Sequence, residues 1–423
     1  MEGTLRIPKE RTASSMDLFD YLERQIASFD EEPFNAVDSA VLTQFCMVRN
    51  TEAAPAFRPA QPEGALGSTA LDALADRWHA LTTPAARFAD FAEGGLANTT
   101  FTGLDPINIR HALFRLIWSP RFSGLQIRDY ADVLDEERRA QFSATVFVWR
   151  DAWAYVGFRG TDTTITGWRE NFDMAAEPPV PAQRLAQAYL ETVARHLPRR
   201  LYVGGHSKGG NLATYAALRC QPAVQERILG VFDHDGPGFK PGFVGAEEYA
   251  ALAGRIHRTV PEESLVGMLM ESGAPTLVVR SSERSVAQHS VFTWEVAEGL
   301  DDFAYADGLS TTAILAHDIM NEWLASMAED EVPRVVEALF ATIEASGVDN
   351  ASEIFSGDSE ALAAVAETAR KMDRETSAVL VPALRKLTSV AAARTAREVG
   401  RSAPVQTVLD ASRTLWERVA HGA

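Results

Sequence analysis

Short apolar runs, each closed by glycine, proline or charged residues, recur through the first two thirds of the chain. Runs of this length and composition predict β-strands. They lie at 142–149, 153–158, 201–204, 228–232, 255–260 and 276–280. The first two predict a hairpin across Arg150 and Asp151. The later runs alternate with helical or short connecting segments, which predicts an α/β fold with a mostly parallel sheet.

Apolar residues at helical spacing predict the helices of the same region. These helices are expected at 16–29, 37–48, 71–91, 107–117 and 181–196. An alanine- and proline-rich stretch at 53–62 predicts a surface loop. We therefore expect a loose leader at 1–15 and one α/β domain at 16–304.

The pattern becomes purely helical from about residue 305. Alanine, glutamate, valine, leucine and arginine dominate there, and glycine is scarce. Helices are expected at 332–345, 361–399 and 407–420, with Pro382 breaking or kinking the second. We expect 305–423 to be a helical region that packs on the α/β domain or mediates self-association or binding of a protein partner.

Composition excludes several classes of function. The net charge of −18 disfavours binding to nucleic acid or to anionic membranes. No apolar run approaches the roughly 18 residues of a transmembrane helix, and the first residues lack the apolar segment of a secretory signal. Only two cysteines are present, which fits a cytoplasmic location. No cysteine–histidine cluster or P-loop is found, so we expect neither metal nor cofactor.

A G-x-S-x-G pattern at 205–209, GHSKG, is the most specific motif in the chain. It follows the predicted strand at 201–204 and precedes a helical segment rich in small residues. In this context it is typical of a nucleophile elbow, in which a strained turn exposes the serine, here Ser207. A glycine-rich turn between strand and helix can also be purely structural. The catalytic hypothesis therefore depends on finding partners for Ser207.

A serine nucleophile needs a base, and the chain order in an α/β-hydrolase is Ser, then Asp or Glu, then His. His289 lies in a polar loop after the last predicted strand, which is where the base belongs. The neighbouring arginines of His257 disfavour the imidazolium that a base must become. His234 lies very near a strand end, and His317 lies on a predicted helix.

Two positions offer the acid that orients the base. Asp235 lies where a strand ends before Gly236 and Pro237, although such an aspartate can simply cap the turn. Glu262 and Glu263 follow the next strand, although paired glutamates at a strand end are usually solvated.

Acyl transfer also needs two N–H donors for the developing oxyanion. One is expected from Lys208, the residue after the nucleophile, and the other from Thr161, in the turn after the strand at 153–158. The Lys208 side chain could attract an anionic or polar head group, or it could point into solvent. The segment around Thr161 can also be an ordinary capped turn.

Several strings resemble known families. FRGT at 158–161, with Gly167, Trp168 and Asp173, precedes the GHS motif as in the class 3 lipase-like branch of the α/β-hydrolases. Longer strings resemble a bacterial family of lipase-like proteins: GHSKGGNLA at 205–213, DGPGF at 235–239, SLVG at 264–267, QHSVFTW at 288–294 and FNAVD at 34–38.

The resemblance covers roughly residues 15–300. It implies an α/β-hydrolase fold, a nucleophile at Ser207 and a base at His289, but no particular substrate. In class 3 lipases the acid would be an aspartate near Ser264, where this chain has none. That departure favours Asp235, with Glu263 as the alternative acid.

The sequence thus predicts a serine esterase or lipase-like hydrolase that cleaves an ester or thioester through an acyl-enzyme. Its substrate is expected to be a small-molecule ester or a lipid. The alternative is a hydrolase-like scaffold with weak or no catalysis, which binds a protein or lipid partner through its helical C-terminal region. The presence of both Ser207 and His289 favours the enzyme.

Overall fold

A computed structural model of the chain describes residues 15–49, 53–57, 82, 84–93, 101–197, 199–348, 350, 353–354 and 359–399. Residues 1–14 of the expected leader at 1–15, the expected helix at 407–420 and the greater part of the expected helix at 71–91 lie outside these residues. In the part that is described, no helix is long and apolar enough to cross a membrane.

The described residues form a seven-stranded sheet whose strands lie side by side in chain order. The strands are β1 (Gln126–Asp135), β2 (Ala140–Trp149), β3 (Trp153–Phe158), β4 (Arg200–His206), β5 (Ile228–His234), β6 (Ile256–Pro261) and β7 (Thr276–Val279). The first three strands are antiparallel, and every later neighbour pairs in parallel. The predictions of a mostly parallel sheet and of the hairpin between β2 and β3 are confirmed.

Helices surround this sheet and extend beyond it. They are α1 (Leu18–Arg24), α2 (Ala36–Phe45), α3 (Asp90–Glu93), α4 (Pro106–Trp118), α5 (Ile165–Ala176), α6 (Pro181–His196), α7 (Lys208–Arg219), α8 (Pro222–Gln225), α9 (Ala246–Ala251), α10 (Thr311–Ala325), α11 (Glu331–Ala345), α12 (Ser359–Lys371) and α13 (Arg374–Val399).

The strand order decides which helices cover which face. Right-handed crossovers between strands added in one direction place the connecting helices on the same face. Accordingly, α6 and α7 pack with Ala154 and Val156 of β3 in one buried cluster. The alternate residues Trp153 and Tyr155 pack on the opposite face, against the N-terminal helices.

Some predicted elements differ from the structure. The first helix covers only Leu18–Arg24, because Asp17 caps its start and the chain turns away after Gln25. Residues 84–89 are not helical, since Ala86 pairs instead with Ile127 of β1. The described part of the predicted surface loop, 53–57, is only partly at the surface, because Ala54 is buried whereas Ala56 is exposed and pairs with Tyr130 of β1.

The C-terminal helices pack on the α/β part through α11. Phe340 is fully buried, and its ring lies 5.4 Å from that of Phe172 on α5. Pro382 was expected to break or kink this helix, and the break is wrong, because the proline lies inside α13. The helices α12 and α13 separate instead before Asp373, whose carboxylate accepts the amide N–H of Thr376 at 2.8 Å and so caps the new helix.

Candidate active site

Ser207 lies between β4 and α7 with φ 57° and ψ −130°, a conformation that non-glycine residues rarely adopt. Its amide N–H donates to the carbonyl of His234 at the end of β5, 2.9 Å away. The turn requires glycine on both sides. A Cβ on Gly205 would overlap the backbone of Gly209, and a Cβ on Gly209 would overlap the carbonyl oxygen of Phe158. The local sequence therefore has the steric requirements of a nucleophile elbow.

Asp235 and His289 form a close pair beside this turn. Asp235 follows β5, is fully buried, and has Oδ2 2.6 Å from His289 Nδ1. Its Oδ1 accepts hydrogen bonds from Ser264 Oγ at 2.5 Å and from the Gly267 amide at 3.1 Å. Because a carboxylate only accepts, the hydrogen lies on Nδ1 and leaves the lone pair on Nε2.

The electrostatics of this pair keep the carboxylate ionised. Burial acts to raise the pKa of Asp235, but the hydrogen bond and charge of His289 and the Ser264 hydroxyl outweigh it, so the pKa lies below its ordinary value. An ionised carboxylate on Nδ1 orients the imidazole and favours the imidazolium that a general base becomes.

Ser207 and His289 are neighbours without a hydrogen bond between their side chains in the described structure. The contact runs through His206, whose Nε2–H donates to the His289 carbonyl at 2.7 Å and whose ring lies 4.6 Å from the His289 ring. Burial, followed by the repulsion that a protonated His289 would exert, lowers the pKa of His206 to about 3, so the His206 ring is neutral. A general base must come within hydrogen-bond reach of the nucleophile, and such catalytic hydrogen bonds often form only when substrate is bound.

The two expected oxyanion residues flank the elbow. Lys208 is the first residue of α7, and Thr161 follows Gly160, which lies so near the elbow that a Cβ on it would be 2.9 Å from the His206 carbonyl oxygen. Within the described residues, neither the Lys208 nor the Thr161 amide N–H has a hydrogen-bond acceptor. Amide N–H groups of this kind beside an elbow are the donors that an oxyanion would need.

The Lys208 side chain neither reaches solvent nor offers a charge to a head group, so both expectations for it are wrong. It is 1% exposed, and its Nζ lies 2.5 Å from Glu170 Oε2. Burial lowers the pKa of Lys208, and the adjacent Glu170 carboxylate opposes this effect. The ammonium points away from the reaction site because its partner is the fully buried Glu170 on α5.

The alternative acid, Glu263, makes a different contact. Its carboxylate accepts the amide N–H of Ser285, and its own N–H donates to Gln288 Oε1 at 2.8 Å. Both contacts hold the short helical turn Ser285–His289, on which the candidate base lies. Glu263 therefore supports the backbone of this turn and does not touch the imidazole.

The side chains of the other candidate histidines contact residues other than Ser207. His234 is fully buried, with Nε2 2.9 Å from Ser39 Oγ, and burial lowers its pKa to about 3. His257 is exposed and stacks on Phe232 at 4.9 Å. His317 lies on α10, where Nδ1 donates to the Met268 carbonyl at 2.5 Å.

Sequence reasoning gave no roles to four residues that build this site. Ser264 and Gly267 bind the carboxylate of Asp235, and both lie in the SLVG string already noted at 264–267. His206 belongs to the GHS motif and fixes the His289 backbone. Glu170 had no signal, because nothing in the sequence pairs it with Lys208.

Comparison with known protein families finds a match over the sheet and the candidate site. Residues 116–341, more than half of the chain, match the sequence model of the Mbeg1-like family. The chain belongs to the Mbeg1-like family. The matched region of this Mbeg1-like chain includes all seven strands and the positions of Ser207, Asp235 and His289. No curated protein matches the sequence.

Several solved lipase structures are similar to parts of this Mbeg1-like chain. The Rhizomucor miehei lipase–propeptide complex is 18% identical over 46% of this chain and 66% of its own, with a TM-score of 0.30. The M37 lipase is 15% identical over 38% and 62%, with a TM-score of 0.30. A fungal lipase–inhibitor complex is 17% identical over 59% and 94%, with a TM-score of 0.31. The chain spans slightly less than two thirds of the length of the first two.

Proposed function

We propose that this chain is a lipase-like serine hydrolase that cleaves a carboxylic ester or thioester. Ser207 is the nucleophile, His289 the general base and Asp235 the acid that orients it. The observation that carries the proposal is the buried Asp235–His289 pair, 2.6 Å apart, beside a serine held at positive φ. A turn with only a structural role does not require a strained serine next to an ionised carboxylate and an imidazole, whereas a catalytic site requires all three.

The reaction follows from the protonation state of the pair. Ser207 Oγ attacks the substrate carbonyl carbon while His289 Nε2 takes the hydroxyl proton. The imidazolium then gives that proton to the leaving alcohol or thiol, and an acyl-enzyme remains on Ser207. A water molecule, deprotonated by the same Nε2, attacks the acyl-enzyme carbonyl carbon. The imidazolium then gives this proton to Ser207 Oγ, and the carboxylic acid and the free serine are released.

The oxyanion formed in both steps needs preorganised donors. The amides of Lys208 and Thr161 supply them, and the positive end of α7 adds to the stabilisation. Each such donor contributes about 3 kcal/mol to transition-state stabilisation in comparable sites. The substrate is a small-molecule ester or a lipid, as the proposed chemistry requires, and the net charge of −18 disfavours polyanionic substrates.

The decisive experiment combines Ser207→Ala with a fluorophosphonate probe, which reacts only with an activated serine. We expect the parent to be labelled and to hydrolyse p-nitrophenyl butyrate, and Ser207→Ala to lose labelling and at least about 10³-fold in kcat. Ser326→Ala, at an exposed position after α10, is the matched control and should keep both. Residual activity of Ser207→Ala within tenfold of the parent would refute the assignment. A parent that is never labelled would favour the scaffold hypothesis.

A further inference from the structure

Behind the elbow, the Lys208 side chain enters a fully enclosed polar cluster. Its Nζ lies 2.5 Å from Glu170 Oε2, 2.7 Å from the Gln141 carbonyl oxygen and 3.1 Å from Gln141 Oε1. Glu170 Oε2 also accepts the Gln141 amide at 2.9 Å, and Oε1 accepts the Ala182 amide at 2.8 Å. Glu170 therefore connects β2, α5, α6 and the first residue of α7.

Thr161, the other candidate oxyanion residue, is hydrogen-bonded to Asn171, which follows Glu170 on α5. Asn171 Nδ2 donates to Thr161 Oγ1 at 2.7 Å, and the Thr161 hydroxyl is 3.1 Å from Asn171 Oδ1. Gly167, one turn earlier, packs so closely that a Cβ there would lie 3.2 Å from Thr161 Cγ2. Consecutive residues of α5 thus hold both segments that carry an oxyanion amide.

A purely stabilising role does not account for the pair of Glu170 and Lys208. Removing two charges from water costs several kcal/mol per ion, and replacing a buried pair by neutral residues is often neutral or stabilising. The ion pair with Glu170 can instead hold Lys208, the residue after the nucleophile, in one position. It sets the direction of an amide N–H, and a displacement of about 1 Å at a reacting centre can cost about 100-fold in rate.

We propose that Glu170 and Asn171 are positioning residues of the active site, which hold the amides of Lys208 and Thr161 in the geometry that binds the oxyanion. Neither side chain touches the substrate. Glu170 acts through the Lys208 ammonium, and Asn171 acts through the Thr161 hydroxyl. The inference rests on the proposed function, since it assigns these residues to the transition state of ester cleavage.

The test for Glu170 is the double variant Lys208→Met/Glu170→Gln. It removes both charges together, so that no lone buried charge destabilises the fold. We expect kcat for p-nitrophenyl butyrate to fall about 100-fold, with KM changed by less than about threefold. Amide hydrogen exchange in a peptide covering 205–212 should quicken at least about tenfold, because the start of α7 loses its anchor.

The matched control is the double variant Arg121→Met/Asp38→Asn, which likewise removes both charges of a fully buried ion pair, here under the N-terminal helices. It should leave kcat within about twofold of the parent value and the hydrogen exchange of 205–212 unchanged.

The second proposed positioning residue, Asn171, is tested separately. Asn171→Ala should lower kcat about tenfold. Asn171→Asp keeps an acceptor for the Thr161 hydroxyl and should recover most of that loss.

The outcomes distinguish a failure of the positioning role from a failure of the proposed function. Parental kcat and parental exchange in Lys208→Met/Glu170→Gln would overturn the positioning role while leaving the hydrolase standing. The positioning role is overturned in the same way if Arg121→Met/Asp38→Asn loses as much kcat as Lys208→Met/Glu170→Gln. If the parent has no activity that depends on Ser207, the proposed function fails. The exchange of 205–212 then still decides whether Glu170 anchors the elbow.

Discussion

Replacing Asp235 by asparagine changes a single atom of the acid, and the surroundings of that atom determine the result. The Gly267 amide and the Ser264 hydroxyl both donate to Oδ1. The amide oxygen of asparagine must take that place, because the Gly267 N–H can only donate. The NH₂ group then faces His289 Nδ1 and donates to it.

The imidazole consequently carries its hydrogen on Nε2 and cannot accept the proton of Ser207. A triad with the wrong tautomer loses about 10⁴-fold in kcat, which corresponds to about 5.5 kcal/mol. The fold should survive, because the substituted asparagine would keep the shape of the side chain and two of its three hydrogen bonds.

The assay is kcat for p-nitrophenyl butyrate at pH 8, with circular dichroism to verify folding. Glu263→Gln is the control and should stay within about fivefold of the parent, since Glu263 contacts the Ser285 amide and not the imidazole. Loss of less than tenfold in Asp235→Asn would refute the tautomer argument. A larger loss in Glu263→Gln than in Asp235→Asn would make Glu263 the acid.

Two further predictions concern stability. Gly209→Ala should lower the free energy of unfolding by on the order of 3 kcal/mol, because the new Cβ overlaps a backbone oxygen. Gly245→Ala, with 3.7 Å to the nearest atom, should be nearly neutral in the same urea titration, and equal losses would contradict the steric argument. Burial lowers the pKa of His234 from 6.5 to about 3, so below pH 6.5 the unfolded chain binds a proton that the folded chain does not. This group should therefore reduce stability by about 1.4 kcal/mol per pH unit as pH falls from 6.5 towards 3. His234→Gln should remove this contribution to the pH dependence of stability, whereas His111→Gln, at an exposed position, should retain it. The reverse result would contradict the attribution of the pH dependence to His234.

The sequence predicted β2 to β7 because these strands are short apolar runs bounded by turn residues, and β2, β3 and β5 are buried along nearly their whole length. It missed β1, whose second half is charged and partly exposed and so lacks an apolar run. The helix predicted at 181–196 matches α6 at both ends, since Pro181 starts it and its apolar stripe is long. The segment 84–89 was mistaken for helix because its apolar residues follow helical spacing, while pairing with β1 determines its structure. The break was predicted at Pro382, but the helix boundary lies at Asp373, whose side chain caps a new helix that then continues through the proline.

The sequence predicted those site residues whose place follows from the end of a strand. Ser207 and Asp235 each follow a parallel strand, and such strand ends meet at one edge of the sheet. The direction of a side chain was not predictable in this way. Lys208 looked like a solvent-exposed or substrate-facing cation, because its buried partner Glu170 lies 38 residues earlier. Only tertiary packing reveals that pairing.

The order of strands in the sheet also has a consequence during synthesis on the ribosome. Every strand after β1 pairs with the strand made just before it, so the sheet can grow from one edge as the chain emerges. Ser207 follows β4 and Asp235 follows β5, but His289 comes only after β7. A nascent chain can therefore complete its elbow while it still lacks the base. On the proposed mechanism, the emerging enzyme stays inert towards cellular esters until its final strand is in place.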